Sequence, residues 1–329
     1  MAAFGRVLKR VCRRRRRGHE GGCVSAVLGL HHVAIAACNV DAALRFYNDA
    51  ASLRVWPAAA ALGLQPDAAW LCSDNMGLCI VPAAPGQAPQ RRPVCEAGIT
   101  HLCLQTPDID AVQRRFAKAH ASFHGAPIDL GTGYLYCYAR DPEFNVSEIE
   151  CVPPVWAEPQ PWVAHVNIAS PDLERLVAFY TALLGGTAVR SPRLRNDARL
   201  DAIADLPDVQ LRMAWLQTGN AQIELMQYLH PATTSTTGRR QPGVPGYAWL
   251  ALEVVDLEAA VAQLRAAGGQ ARTPLPGAFS CHASDPDGNS LRLLDLQAPA
   301  LRRASIQALR EPRITQRFAT ARDALLKAP

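Results

Sequence analysis

The sequence predicts an α+β protein of four βαβββ modules that pair into two cupped-sheet domains. Three observations predict it: an alternating apolar strand that recurs four times, an aspartate at the turn after each copy, and an Asp-Pro turn shared by the second and fourth copies.

The strands come first. They read Gly29-Leu30-His31-His32-Val33-Ala34-Ile35-Ala36, Gly98-Ile99-Thr100-His101-Leu102-Cys103-Leu104, Trp162-Val163-Ala164-His165-Val166-Asn167-Ile168 and Gly246-Tyr247-Ala248-Trp249-Leu250-Ala251-Leu252. Each runs into Asp41, Asp108 or Asp110, Asp172, and Asp256, whose short carboxylates suit the free N–H groups of a first helical turn. The third helix shows the expected spacing in Leu173, Leu176, Val177, Phe179, Tyr180, Leu183 and Leu184, and Gly185-Gly186 stops it. Two modules close on matching turns, Arg140-Asp141-Pro142-Glu143-Phe144-Asn145 and Ser284-Asp285-Pro286-Asp287-Gly288-Asn289, each leading into a last strand.

Boundaries follow from Pro-rich stretches at 82–93, 153–161 and 231–245. They give a basic N-terminal arm over 1–27, a first module pair over 28–153, a second over 160–297 and a helical extension over 298–329. Consecutive modules are expected to pair.

At 329 residues, 49% hydrophobic and 19% charged, the chain has apolar material for two packed cores. No stretch is apolar enough to cross a membrane, and the arm carries no apolar segment that would make it a secretory signal. The formal charge of +5 resides in the arm, where eight Lys or Arg stand against Glu20, so the rest of the chain nets −2 and is no nucleic-acid surface. Ten cysteines show no CxxC pair, and several lie in apolar strands. That usage suits reduced thiols and a cytoplasmic location.

A repeat lets the same place be compared across copies. On the first strand that place holds His32, His101, His165 and then Trp249; on the last strand after the Asp-Pro turn it holds Glu148 and Arg292. A third place, on a late strand of modules one and three, holds Cys79 and Glu224. Paired in chain order, the first half offers His32, His101 and Glu148, a facial composition that leaves open positions on a divalent metal, with Cys79 as a fourth donor. The second half sets His165 and Glu224 beside Trp249 and Arg292, whose guanidinium repels a cation, so it reads as metal-free. His120, His124 and His230 read as structural histidines, and His31 should face away from its neighbour His32.

Four such copies and two Asp-Pro turns in register resemble the vicinal oxygen chelate superfamily, which includes glyoxalases, epimerases, bleomycin-resistance proteins and extradiol dioxygenases. The resemblance covers about residues 28–297. It implies metal ligands at His32, His101 and Glu148 and a small-molecule substrate with vicinal oxygens. Nothing in it calls for a nucleic acid or a membrane, and a homodimer is compatible with it. Tyr138, before the turn, is similar to a substrate-contacting tyrosine of the extradiol dioxygenases, which favours Fe2+ and a dioxygenase; Ni2+, Zn2+, Co2+ and Mn2+ are the other metals the family implies. A glyoxalase-I-like lyase or an epimerase is the alternative and would use Cys79 as ligand or base. A third reading is a non-catalytic binder with Trp249, Trp162 and Trp215 along its cleft.

Overall fold

The computed structural model describes residues 26–152, 162–234 and 243–309. Module one contains β1 (Val27–Ala37), β2 (Arg54–Val55), β3 (Ala69–Cys72) and β4 (Gly77–Pro82). Module two contains β5 (Gly98–Thr106), β6 (Ser122–Phe123), β7 (Ile128–Asp129), β8 (Leu135–Arg140) and β9 (Val146–Cys151). Module three contains β10 (Trp162–Ala169), β11 (Val189–Arg190), β12 (Gln210–Gln217) and β13 (Gln222–His230); module four contains β14 (Gly246–Val254), β15 (Gln270–Ala271), β16 (Ser280–Ser284) and β17 (Ser290–Asp295). The α+β class and the two curved sheets agree with the sequence expectation.

The pairing of modules does not. One sheet runs β15-β16-β17-β14-β1-β4-β3-β2 and joins modules four and one; the other runs β11-β12-β13-β10-β5-β9-β8-β6 and joins three and two. The residue ranges 28–153 and 160–297 therefore do not each close a sheet. The reason lies in the edges: β1 pairs antiparallel with β14, and β5 with β10, in closely similar registers. What modules one and two share, and likewise modules three and four, is the helical layer. Phe46, in the helical stretch 40–50, meets Phe116 of the helix Ile109–Lys118 at a ring-centroid distance of 5.0 Å, and the helix Leu173–Leu184 packs on Leu257–Ala266.

Local chemistry explains these elements. Asp108, Asp172 and Asp256 cap their helices by accepting a backbone N–H three residues on, while in module one Asn39 rather than Asp41 is the cap. Asp141 and Asp285 each accept two backbone N–H groups and a following asparagine side chain, which closes the two turns. Each also accepts a buried hydroxyl from the preceding module, Tyr47 at 3.0 Å and Tyr180 at 3.1 Å.

Strand alternation sorts the core into three parts. One face of both sheets packs against the helices in a common core that includes Val33, Leu102, Val166 and Leu250. The concave face of the first sheet is filled by Trp56, Trp70, Trp249 and Ala304, and that of the second by Tyr136, Tyr138, Met213 and Tyr228.

The two sheets are clasped by a reciprocal pair of asparagines. Asn75 donates to Val163 O (2.6 Å) and Asn220 O (3.0 Å), while Asn220 donates to Leu30 O (2.8 Å) and Asn75 O (2.6 Å). Their side-chain oxygens accept from Val163 N and Leu30 N. A Cβ at Gly29 would stand 2.3 Å from Asn220 Oδ1, so the clasp needs glycine there.

The arm expected over 1–27 lies outside the described residues up to 25, and residue 27 already belongs to β1. Of the extension, a 3-10 turn (Arg302–Ala304) and a short helix (Ile306–Leu309) are described. Glu253 anchors them, accepting from Ser305 Oγ (2.5 Å) and Ile306 N (2.8 Å). Residues 310–329 lie outside the described residues. Among the described residues no helix is long and apolar enough to cross a membrane.

The clasp is testable by urea unfolding. Asn220→Ala should lower stability by about 2–3 kcal/mol, because it strands buried backbone groups as well as removing bonds; an unchanged midpoint would show that the clasp is not needed.

Candidate metal centre

Pairing β10 with β5 puts four central strands of the second sheet side by side, and each presents one residue to the concave face. His101 lies on β5, Glu148 on β9, His165 on β10 and Glu224 on β13. Their ligand atoms all fall within 4.8 Å of one another. Glu148 Oε2 is 3.2 Å from His101 Nε2 and 2.9 Å from His165 Nε2; Glu224 Oε2 is 3.6 and 3.3 Å from the same atoms.

The nitrogens show what this cluster is built for. Both Nε2 atoms are buried, and neither has a hydrogen-bond partner of acceptable direction despite the carboxylates nearby. Two lone pairs and two carboxylates aimed at one point, without hydrogen bonds between them, is the arrangement a divalent cation completes.

The surrounding bonds fix the tautomer this requires. Asn167 Nδ2 donates to Glu224 Oε2 at 2.9 Å, which leaves Asn167 Oδ1 to accept from Thr100 Oγ1 at 2.5 Å. Thr100 has spent its one proton, so at its 3.1 Å contact with His101 Nδ1 the ring is the donor. Nε2 is then unprotonated, with its lone pair directed at the cluster. On the other flank the Cys103 thiol sits against His165 and lies 3.9 Å from Glu150 Oε2, to which Gln105 also donates at 2.5 Å.

Burial alone pulls both imidazoles down and pushes both carboxylates up, but the opposed charges win: His101 and His165 stay above the usual imidazole range and Glu148 and Glu224 below the usual carboxylate range, so a cation would compete with protons for the same Nε2 atoms. Glu150, on the same face, is pushed up to about 7 by burial and by the charge of Glu148.

The expected trio of His32, His101 and Glu148 is not brought together. His101 and Glu148 meet, but His32 is in the other sheet, because β1 borders β14 and β4 rather than β5. There the equivalent places hold His32, Trp249, Arg292 and Cys79. His32 is spoken for: Trp249 Nε1 donates to its Nε2 (3.0 Å), its Nδ1 contacts His31 Nδ1 (2.7 Å), and His31 Nε2 contacts Ala304 O (2.8 Å). An irregularity in register between Leu30 and His32 breaks the alternation that would have turned His31 away. Cys79 is buried in that sheet, its thiol pushed up to about 12 by burial, and so is neither ligand nor base for the cluster. Tyr138 does line the centre, directly across from Glu148 in register and with its ring 4.9 Å from that of His101.

His165 and Glu224, read from sequence as metal-free, complete the cluster. A signal for them existed. Pairing modules two and three gives two histidines and two carboxylates, and it leaves Trp249 and Arg292, neither a ligand, together in the other sheet.

Comparison with known proteins agrees with this architecture. Residues 29–149 and 162–293 match the profile of the Glyoxalase/Bleomycin resistance protein/Dioxygenase superfamily, and the chain belongs to that superfamily. Its fold is similar to glyoxalase I from Zea mays, with a TM-score of 0.58 at 16% identity over 91% of this chain and 97% of that one. It is also similar to a dioxygenase candidate from Bacillus subtilis, with a TM-score of 0.56 at 14% identity over 90% and 97%. No curated protein sequence matches the chain.

Metal analysis of variants separates the two ligand sets. His165→Ala and Glu224→Gln should each strip bound metal, and His32→Ala should leave it; the reverse pattern restores the trio expected from sequence. Thr100→Val should weaken metal affinity by about 10–100-fold, since it frees the His101 tautomer. Affinity should also fall as pH drops through the histidine range, because protons compete for the same Nε2 atoms, and competitive chelator titrations from pH 8 to about 5 would read this directly.

Proposed function

We propose that the protein is a divalent-metal-dependent enzyme that moves a proton within a small substrate carrying vicinal oxygens, a lyase or isomerase of the glyoxalase kind. His101, Glu148, His165 and Glu224 hold the metal in this reading. The observation that carries it is the second carboxylate: Glu224 stands as close to both histidines as a ligand must.

Four protein donors on a six-coordinate ion leave two positions. Those suffice for a chelating pair of oxygens, but a chelating diol together with O2 needs three, which is what two histidines and one carboxylate provide. The donor set therefore favours proton transfer over ring cleavage. It suits Ni2+, Co2+, Zn2+ or Mn2+, and Fe2+ without oxygen chemistry. When bound, the metal supplies Lewis acidity that stabilises negative charge on the substrate oxygens.

The two carboxylates are not equivalent. Glu224 is fixed by Asn167, whereas Glu148 accepts no hydrogen bond from an amide or hydroxyl side chain among the described residues. Glu148 is thus the freer, and is assigned a double role: Oε2 faces the metal while its other oxygen is the general base that takes a proton from substrate carbon and returns it to the neighbouring carbon, the substrate's hydroxyl proton passing to the adjacent oxygen. Tyr138 packs beside it, and Tyr228, Met213 and Met226 line the same concave face. That lining is apolar and aromatic. It excludes water from the proton in transit and accepts an apolar substrate body.

The dioxygenase reading predicts a different outcome. Protein prepared without oxygen, loaded with each metal and offered α-oxoaldehyde hemithioacetals in deuterated water should exchange or isomerise them without oxygen uptake. Glu148→Gln should lower turnover by about 10²–10⁴-fold, more than it lowers metal content. Oxygen consumption with catechols that survives Glu224→Gln would instead make the protein an iron dioxygenase.

A further inference from the structure

Among the described residues the concave face of the first sheet brings together no group of three His, Cys, Asp or Glu donors, yet it is not inert. Arg292 occupies there the place that Glu148 occupies in the second sheet, since Ala251 pairs with Arg292 as Cys103 pairs with Glu148. The residue is only 9% exposed, and its guanidinium carbon lies 3.9 Å from the centre of the Trp249 ring. That contact satisfies the face of the guanidinium but none of its in-plane N–H donors.

No acceptor among the described residues takes them. The acidic residues on β14 and β17 are engaged elsewhere: Glu253 with Ser305 Oγ and Ile306 N, and Asp295 with Gln297 N. Burial accordingly pulls the guanidinium below its usual range, and the Cys79 thiol offers the one opposing influence. The donors are nonetheless reachable, for none of the guanidinium nitrogens is sealed from solvent, and His282, directly across β16 from Arg292, is exposed.

Trp249 is held as a rigid plate. Its indole N–H is bound by His32, whose other nitrogen meets His31, which in turn meets Ala304 O. A fixed aromatic plate, a guanidinium fork whose edge donors meet no acceptor among the described residues and an accessible imidazole beside it form a pre-organised receptor for an oxyanion.

We propose that this face is a second, metal-free ligand site in which Arg292 binds the carboxylate or phosphoryl group of a small molecule against Trp249. Cation binding in one sheet and anion binding in the other would then use equivalent places in a duplicated frame. The site stands independently of the reaction assigned to the metal centre.

The test uses the full chain with its metal loaded, titrated with inorganic phosphate, benzoate and uncharged benzamide while tryptophan fluorescence and heat are recorded. Saturable binding of phosphate or benzoate, with benzamide silent, is the expected result; phosphate alone assigns a phosphoryl ligand and benzoate alone a carboxylate. Arg292→Gln should weaken binding by about tenfold or more, and Arg292→Lys, which keeps the charge but not the fork, by less. His165→Ala should leave the anion affinity unchanged, which separates this site from the metal centre. If neither anion binds the folded wild-type protein at millimolar concentration, or benzamide binds as well as benzoate, the proposal fails whatever the variants do.

Discussion

The antiparallel seam between β5 and β10 is the contact on which the candidate metal centre depends. It sets Asn167 opposite His101 and Cys103 opposite His165, so ligands that are remote in sequence converge without any loop having to place them. Each ligand also sits on a strand with a paired neighbour on both sides, which gives the donors a rigid base. The flanking parallel pairs, β5 with β9 and β10 with β13, then bring one carboxylate from each module.

A cluster of two carboxylates and two imidazoles with almost no solvent would be costly if it relied on ion pairing alone, since removing charges from water is expensive. The surroundings offset part of that cost. Asn167 neutralises one lone pair of Glu224, Thr100 settles the proton of His101, and Cys103 with Glu150 and Gln105 flanks His165. The remaining imbalance is the mutual aim of two unsatisfied nitrogens, which a cation between them would relieve.

The four modules, their helix caps and the Asp-Pro turns were legible in the sequence because they are local: strand alternation, an acidic first-turn residue and a turn signature need only neighbours along the chain. The ligand places were legible too, since a repeat reports equivalent positions. What the sequence hid was which modules share an edge. Nothing local distinguishes a β5–β10 seam from a β1–β5 seam, so pairing in chain order from the first module places His32 and Cys79 in a site where the fold instead sets His165 and Glu224. Asn39 takes the cap position instead of Asp41 for a smaller reason, since both side chains suit a cap and only the exact start of the helix decides between them.

The pairing of β1 with β14 has a consequence for how this chain comes into being. Synthesis runs from the N-terminus, and β1 has its antiparallel partner more than two hundred residues later. Until module four is made, β1 presents an unpaired edge flanked by apolar side chains, the kind of edge that recruits stray strands. The second sheet, by contrast, can close as soon as module three has followed module two. Nascent chains should therefore close the sheet of the candidate metal centre early and carry an open sheet beside it, which leaves the His/Glu cluster the part least exposed to the hazards of translation.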